Sequence, residues 1–220
     1  FRYLLIIGSW SKGLMRKKAI PFLKRVWKFL WEDDSIWSWL ANIALAFLLI
    51  KFLILPGLGL AFGTSHPIVA VVSGSMEHDG SFDEWWAQQE ARYQSFNISR
   101  NNFEKFPMKD GFNRGDIIFL FGVKPDNLKA GDIIVFSAQN TAQRPDPIIH
   151  RVVSIQRDSQ VTVQTKGDHN IAQIRGPELD ETNIKWSQVI GRASLRIPML
   201  GYIKIWFVDA INAVAKIFVR

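Results

Sequence analysis

The predicted architecture centres on Val69-Ala70-Val71-Val72-Ser73-Gly74-Ser75-Met76-Glu77. The small and β-branched residues at its start predict a buried strand, and Ser-Gly-Ser ends that strand abruptly. The glycine permits a sharp turn that places the next hydroxyl outside the sheet. Ser75 is therefore a candidate nucleophile, provided that a base lies within hydrogen-bond reach. The alternative is an ordinary junction between a strand and a turn.

Composition and charge narrow the class of protein. The chain has 220 residues, enough for one domain with a sizeable core and attached segments. It contains no cysteine, which excludes a disulfide framework, a thiolate metal site and a cysteine nucleophile. The formal net charge is +7, yet eight cations and no acidic residue precede Glu32, so the remaining residues sum to −1. This asymmetry favours membrane topology over a nucleic-acid-binding surface.

The N-terminal part of the chain predicts membrane attachment. Residues 1–35 form a basic cytoplasmic or interfacial segment, in which 14–31 is expected to be an amphipathic helix on an anionic leaflet or a solvated arm. Residues 36–55 carry one charge, Lys51. A helix of this length spans about 30 Å, the thickness of a bilayer core, and Pro56-Gly57 is expected to end it. A buried core helix is the alternative.

The position of the cations predicts the orientation of the protein. Because they precede the apolar segment, the N-terminus is expected in the cytoplasm and the catalytic domain outside it, at the cell membrane. The apolar run is too long for a removable signal peptide, so we expect an uncleaved anchor. Residues 197–220 are apolar but charged, which predicts an amphipathic or membrane-associated helix, with a second membrane span as the alternative.

Residues 56–196 are predicted to form an extracytoplasmic β domain with an insertion at 78–113. Within this insertion, apolar residues follow helical spacing over about 82–96. Many short strands with Gly and Pro punctuation indicate a mainly β fold, a coiled antiparallel sheet or partial barrel. Two near-copies, Gly115-Asp116-Ile117-Ile118-Phe119 and Gly131-Asp132-Ile133-Ile134-Val135-Phe136, each predict a turn that leads into an apolar strand, with a structural aspartate.

The candidate bases are the histidines, which are His66, His78, His150 and His169. His150 is distinctive because its polar ring lies inside an apolar β run. Such an imidazole needs a partner, and a nearby carboxylate would set its tautomer and orientation. The sequence contains no H-E-x-x-H and no G-x-x-x-x-G-K, so zinc protease and nucleotide-binding interpretations lose their usual support.

Five segments resemble type I signal peptidases in their residues and in their order. They are Ser73-Gly74-Ser75-Met76-Glu77, Arg114-Gly115-Asp116, Gly131-Asp132-Ile133-Ile134-Val135-Phe136, Ile149-His150-Arg151-Val152 and Thr165-Lys166-Gly167-Asp168-His169-Asn170. The histidine in place of a lysine resembles the archaeal and endoplasmic-reticulum branch. Val189-Ile190-Gly191-Arg192-Ala193 and Ile197-Pro198-Met199-Leu200-Gly201-Tyr202 resemble the closing segment of that family. The resemblance covers about residues 67–203.

The resemblance implies a Ser-His mechanism and assigns roles to individual residues. It implies Ser75 as the nucleophile, His150 as the general base and Asp168 as one of two acidic residues near the base. The Ser75 backbone N–H would help to form the oxyanion hole, with the Ser73 hydroxyl as a second donor. We expect no cofactor and no metal ion.

The sequence departs from the family pattern at two places. His78 stands where a proline usually follows the first box, and the insertion comes after it. The family's second aspartate falls on Ile174, and the stretch that follows is lengthened. Asp180 is therefore predicted as the second catalytic acid beside Asp168, with Glu181 as the open alternative.

These features predict a membrane-bound serine endopeptidase that cleaves signal peptides from exported preproteins after small residues. Its expected partners are signal peptides and the lipid bilayer, with no nucleic acid, and accessory subunits are possible. The substrate is expected as an added strand at a sheet edge. One alternative is a LexA-like self-cleaving protease, which would require a lysine base and a DNA-binding domain. The other is a non-catalytic membrane assembly factor with the same fold, against which an intact Ser75 and His150 argue.

Overall fold

The computed structural model describes residues 21–22, 24–202 and 206 of the chain. Of the predicted basic helix at 14–31, residues 24–32 are helical, and the part before 21 lies outside the described residues. The predicted C-terminal helix also lies largely outside them. The chain comprises two compact units, Phe1–Gly57 and Leu58–Arg220.

The apolar helix α1 extends over Ile36–Phe62, and it is long and apolar enough to cross a membrane. Ser35 caps its N-terminus, where the side-chain oxygen accepts a hydrogen bond from the Ser38 N–H. The prediction that Pro56-Gly57 ends the helix is wrong. A π-helical turn at Ile50–Ile54 precedes the proline, and its wider spacing moves the carbonyl that the proline ring would otherwise meet.

The second unit is built on one antiparallel sheet of seven strands. The strands are β1 (Ile68–Ala70), β2 (Ile117–Phe121), β3 (Ile133–Phe136), β4 (Ile148–Arg157), β5 (Val161–Lys166), β6 (Ile184–Lys185) and β7 (Val189–Ile197). Their spatial order is β1-β2-β7-β3-β4-β5-β6, and the sheet forms a half-barrel. The predicted fold class is therefore confirmed, and β4 and β5 pair as an antiparallel hairpin.

The strand before Ser75 differs from the buried strand that the sequence predicts. β1 has three residues, all half-buried, and it lies at an edge of the sheet beside β2. The next residue, Val71, is buried in the core, whereas Val72 is 58% exposed. An edge strand pairs on one side only, so the other side of β1 keeps unpaired backbone groups.

The central strand β3 separates two hydrophobic cores, which explains why all four of its residues are buried. Ile133 and Val135 pack into one core, and Ile134 and Phe136 pack into the other. His150 of β4 pairs directly with Ile134. The candidate base is therefore held in the best-packed part of the sheet.

The two glycine–aspartate turns have the same structure. In each, the aspartate carboxylate accepts a hydrogen bond from the backbone N–H three residues earlier, at 2.8 Å for Asp116 and 2.9 Å for Asp132. Each carboxylate also pairs with an arginine of β7, Asp116 with Arg196 at 2.7 Å and Asp132 with Arg192 at 3.6 Å. These contacts agree with a structural role for both aspartates.

The insertion contains two helices, α2 (Phe82–Gln94) and α3 (Arg100–Phe103). The spacing predicted the first of them, and Ser81 begins it with a capping box to Glu84. Its aromatic residues form a third core with β4. The buried members are Trp85, Trp86, Tyr93, Ile98, Phe103 and Val153. The insertion is thus packed onto the sheet rather than extended from it.

Candidate active site

Ser75 lies in a tight turn in which the Glu77 N–H donates to the Gly74 carbonyl at 3.0 Å. Gly74 does not have a positive φ, so its conformational freedom is not what the turn requires. A β-carbon at Gly74 would instead lie 2.8 Å from Oε2 of Glu77. That carboxylate accepts the Arg114 N–H at 2.9 Å through Oε1. The glycine therefore makes room for the side chain that fixes the turn.

The structure brings Ser75 and His150 together. Nε2 of His150 lies 2.9 Å from Oγ of Ser75, and the histidine is 2% exposed. When the serine hydroxyl donates to Nε2, the proton of the neutral imidazole is on Nδ1. The ring is then oriented to accept the serine proton.

The carboxylate at the other side of the imidazole belongs to Glu181. Its Oε1 lies 2.5 Å from Nδ1 of His150. Oε1 also accepts a hydrogen bond from the Thr165 hydroxyl at 2.9 Å, and Oε2 accepts the Ile174 N–H at 2.7 Å. Glu181 is fully buried, so these donors compensate for the loss of water around its carboxylate.

A short hairpin explains why Glu181, and not Asp180, reaches the histidine. Arg175 and Asp180 form a β-bridge, and the Glu181 N–H donates to the Ile174 carbonyl at 2.9 Å. Neighbouring residues in extended backbone point to opposite sides. The Asp180 carboxylate accepts hydrogen bonds from Thr182 instead, at 2.7 and 2.9 Å. The lengthened segment thus returns to Ile174, but Glu181 rather than Asp180 faces inward.

Asp168, the other predicted acid, lies in a separate buried network. Its carboxylate contacts Arg151 at 2.7 Å, the Tyr93 hydroxyl at 2.6 Å and Nε2 of His78 at 3.0 Å. Burial of Asp168 opposes its ionisation, but the Arg151 guanidinium and the hydrogen bonds from His78 and Arg151 outweigh that effect. The pKa of Asp168 is therefore well below its usual range. The structure does not bring this carboxylate to the His150 ring.

The loop that carries Asp168 nevertheless touches the Ser75–His150 pair. The His169 N–H donates to the Ser75 carbonyl at 2.9 Å. A β-carbon at Gly167 would lie 2.8 Å from the Ser75 carbonyl oxygen and 2.9 Å from Nε2 of His150. Only glycine allows the backbone to pack this closely.

The two predicted oxyanion donors belong to the turn that carries Ser75. Oγ of Ser73 lies 3.3 Å from Oγ of Ser75. Within residues 24–202, the Ser75 N–H has no hydrogen-bond acceptor. Both groups are therefore available to a ligand beside the serine hydroxyl.

A groove of ≈ 660 Å³ reaches the Ser75–His150 pair. Residues 68–73 and residues 146–150 both line it. Aliphatic side chains predominate in its wall, and they include Ile68, Val69, Val71, Val135, Ile148, Ile149, Ile174 and Leu179. The three residues of β1 therefore line the same groove as Ser75 and His150. In the part of the chain that the structure describes, no cluster of three or more His, Cys, Asp or Glu side chains could hold a metal ion.

Two side chains of this site were not singled out from the sequence. Thr165 supports Glu181, and the alternation of β5 places its side chain in the interior, so the strand pattern contained that signal. Tyr93 contacts Asp168 from the insertion. No motif in the sequence connects these two positions.

A hydroxyl, an imidazole and a carboxylate connected in this order form the arrangement of the Ser-His-acid hydrolases. No protein-family model matches the chain. The chain is 30% identical over 152 residues to the signal peptidase complex catalytic subunit SEC11C of Homo sapiens. The aligned region covers 68% of this chain and 61% of that protein.

Two yeast proteins match a larger share of their own length. The signal peptidase complex catalytic subunit SEC11 of Lachancea thermotolerans is 30% identical over 171 residues, which is 75% of this chain and 79% of that protein. That of Zygosaccharomyces rouxii is 27% identical over 171 residues, with 76% and 79% covered. The chain belongs to the type I signal peptidase family, in its endoplasmic-reticulum and archaeal branch.

Proposed function

We propose that this chain is a membrane-bound serine endopeptidase that removes signal peptides from exported preproteins. The hydrogen-bonded series Ser75–His150–Glu181, beside a largely aliphatic groove, carries the proposal. Membership of the signal peptidase family supports the substrate class. The chain spans 61% of the length of the mammalian relatives it matches, so the activity itself stands as a proposal.

In the proposed reaction, Oγ of Ser75 attacks the scissile carbonyl while its proton moves to Nε2 of His150. Glu181 accepts the Nδ1–H hydrogen bond and stabilises the imidazolium that forms. The oxyanion receives hydrogen bonds from the Ser75 N–H and the Ser73 hydroxyl. His150 then protonates the leaving amine, and an acyl-enzyme remains on Ser75. Water, deprotonated by the same imidazole, hydrolyses this ester and releases the acid product.

The proposed substrate lies in the groove as an extended strand beside β1. Backbone hydrogen bonds to the free edge of β1 would fix its position. Alternate side chains of an extended peptide would point toward the groove wall, whose lining is largely aliphatic. This arrangement suits small residues before the scissile bond.

The proposed setting is a membrane, with residues 1–35 in the cytoplasm and the β domain on the opposite side. Helix α1 has the length and composition of a span, and the cations that precede it favour this orientation. The relatives are named as catalytic subunits of a signal peptidase complex. We therefore propose that accessory subunits also associate with this chain.

The experiment is a preprotein cleavage assay with the full chain purified in detergent. Ser75→Ala and His150→Ala should each lower kcat by several orders of magnitude. The residues act as a unit, so the loss of one removes most of the rate enhancement that they supply together. Ser159→Ala is the matched control, since this serine is exposed in the β4–β5 turn, and it should cleave like the wild type. Cleavage by Ser75→Ala at the wild-type rate would overturn the proposal. A folded wild type without activity would favour a non-catalytic assembly factor.

A further inference from the structure

We propose that Tyr93, on helix α2 of the insertion, is a positioning residue of the active site that acts through Asp168. Its hydroxyl would hold the loop 166–170 against Ser75 and His150. The catalytic part of this inference rests on the proposed function. The contacts that Tyr93 makes do not depend on it. The insertion is one of the places where the sequence departs from the pattern of the family.

The first contact joins the insertion to the loop. The Tyr93 hydroxyl donates to Oδ1 of Asp168 at 2.6 Å, and both residues are fully buried. Burial raises the pKa of Tyr93 well above its usual value, and the nearby Asp168 carboxylate raises it further. The hydroxyl therefore stays protonated and remains a donor.

A second contact comes from the same face of α2. Gln89 lies four residues before Tyr93, so their side chains are neighbours on the helix. Oε1 of Gln89 accepts a hydrogen bond from Nζ of Lys166 at 3.1 Å, and the same ammonium donates to the Gly167 carbonyl at 3.0 Å. Helix α2 thus contacts the loop on both sides of Gly167.

The loop in turn fixes the groups that would react. The Asp168 N–H donates to Sδ of Met76 at 3.4 Å, and the His169 N–H donates to the Ser75 carbonyl at 2.9 Å. Gly167 directly precedes these two donors, and a β-carbon there would lie 2.8 Å from the Ser75 carbonyl oxygen and 2.9 Å from Nε2 of His150. A shift of Asp168 would therefore change the position of the serine relative to the imidazole.

His78 connects the segment after Ser75 to the same network. Its Nε2 lies 3.0 Å from Oδ2 of Asp168, and its ring stacks on Trp85 of α2 with 3.5 Å between the ring centroids. The histidine that replaces the family's usual proline therefore packs against helix α2. The Asp168 carboxylate therefore has three side-chain partners, which are Tyr93 of α2, His78 after the Ser75 turn, and Arg151.

The test is Tyr93→Phe in the full chain in detergent. This change removes one oxygen and preserves the ring, so the aromatic core should remain packed. Tyr202→Phe is the matched control, because it makes the same change outside the network. We expect Tyr93→Phe to lower kcat by about 10- to 100-fold, since a small displacement of reacting groups has effects of this size. KM should stay within about twofold, because the groove lining is unchanged.

A second measurement does not depend on activity. Hydrogen exchange at the His169 amide should be at least about tenfold faster in Tyr93→Phe than in the wild type, and unchanged in Tyr202→Phe. If Tyr93→Phe fails to fold, Gln89→Leu gives the same two readouts from the other contact. Unchanged kcat and exchange, or equal effects in the control, would overturn the proposal. If the wild type cleaves no preprotein, the proposed function fails, while the exchange data still decide whether Tyr93 positions the loop.

Discussion

Nδ1 of His150 lies 2.5 Å from Oε1 of Glu181, although the family pattern places the acid at Ile174, seven residues earlier. The hairpin between these positions closes so that Oε2 of Glu181 accepts the Ile174 N–H at 2.7 Å. The carboxylate therefore reaches the imidazole from a backbone position that is hydrogen-bonded to Ile174. A longer loop has kept the polar contact while changing the residue that makes it.

This contact predicts that Glu181 is the acid whose loss damages cleavage most. Glu181→Gln should lower kcat by about 10³- to 10⁴-fold, because an amide neither stabilises the imidazolium nor selects the required tautomer. Asp180→Asn is the matched control and should stay within about twofold, since that carboxylate contacts Thr182. Single-turnover cleavage in detergent measures both variants. A severe loss in Asp180→Asn beside an active Glu181→Gln would contradict the assignment.

The close packing of Gly167 predicts that this position tolerates no side chain. Gly167→Ala should lower kcat at least about 100-fold, because the new methyl group would displace Ser75 or the imidazole. Gly176→Ala is the control, since its β-carbon would meet only one atom, at an ordinary 3.8 Å. Both variants should be compared at equal concentrations of folded protein. Wild-type kcat in Gly167→Ala would show that the loop can move without consequence.

The depressed pKa of Asp168 predicts how stability depends on pH. The unfolded chain should titrate this carboxyl near its usual value of about 3.9, whereas the folded protein keeps it ionised at lower pH. The contribution to stability is therefore fully present above about pH 4 and is lost as the pH falls toward the folded-state pKa. Asp168→Asn should lower the unfolding free energy at neutral pH by about 3–5 kcal/mol, because Arg151 stays buried without its partner.

Denaturant unfolding in detergent between pH 3 and 7, a range set by the usual carboxyl pKa of about 3.9, measures this effect. Asp158→Asn is the control, because Asp158 is exposed in the β4–β5 turn. Its unfolding free energy should follow the wild type at each pH. Equal acid sensitivity in Asp168→Asn and the wild type would mean that other groups cause the loss of stability.

The proposed orientation predicts which residues a protease reaches. In sealed membranes with the β domain outside, added protease should cut within residues 78–113 and should not cut within residues 1–30. Asn97-Ile98-Ser99 offers a second reporter, because Asn97 is exposed and the sequence fits a glycan acceptor. In microsomes it should be modified in the wild type and in Asn101→Gln, but not in Asn97→Gln. Cleavage within residues 1–30 from outside would reverse the orientation.

The sequence was sufficient for the sheet and for the Ser75–His150 pair. Short apolar runs between Gly and Pro turns predicted the antiparallel strands, and a polar ring inside one such run identified His150. The end of α1 was not predictable in the same way. A proline usually ends a helix, and only the backbone shows the π-helical turn that lets the chain continue.

The sequence pattern also could not show whether Asp180 or Glu181 contacts His150. Which of two adjacent residues faces inward depends on the register of one β-bridge, and a shift of one residue would exchange them. The half-buried β1 has a similar cause. Its residues are as apolar as those of a central strand, and its place at the sheet edge follows from the pairing of distant strands.

The position of β7 has a consequence for synthesis of the protein. β7 is the last strand within residues 24–202, yet it lies between β2 and β3, which do not pair with each other. Ser75 follows β1 in one half of the sheet, while His150 lies on β4 in the other half. Until residues 189–197 have left the ribosome, no strand pairing joins the two halves. Strand pairing therefore connects the half that carries the nucleophile to the half that carries the base only after β7 has emerged.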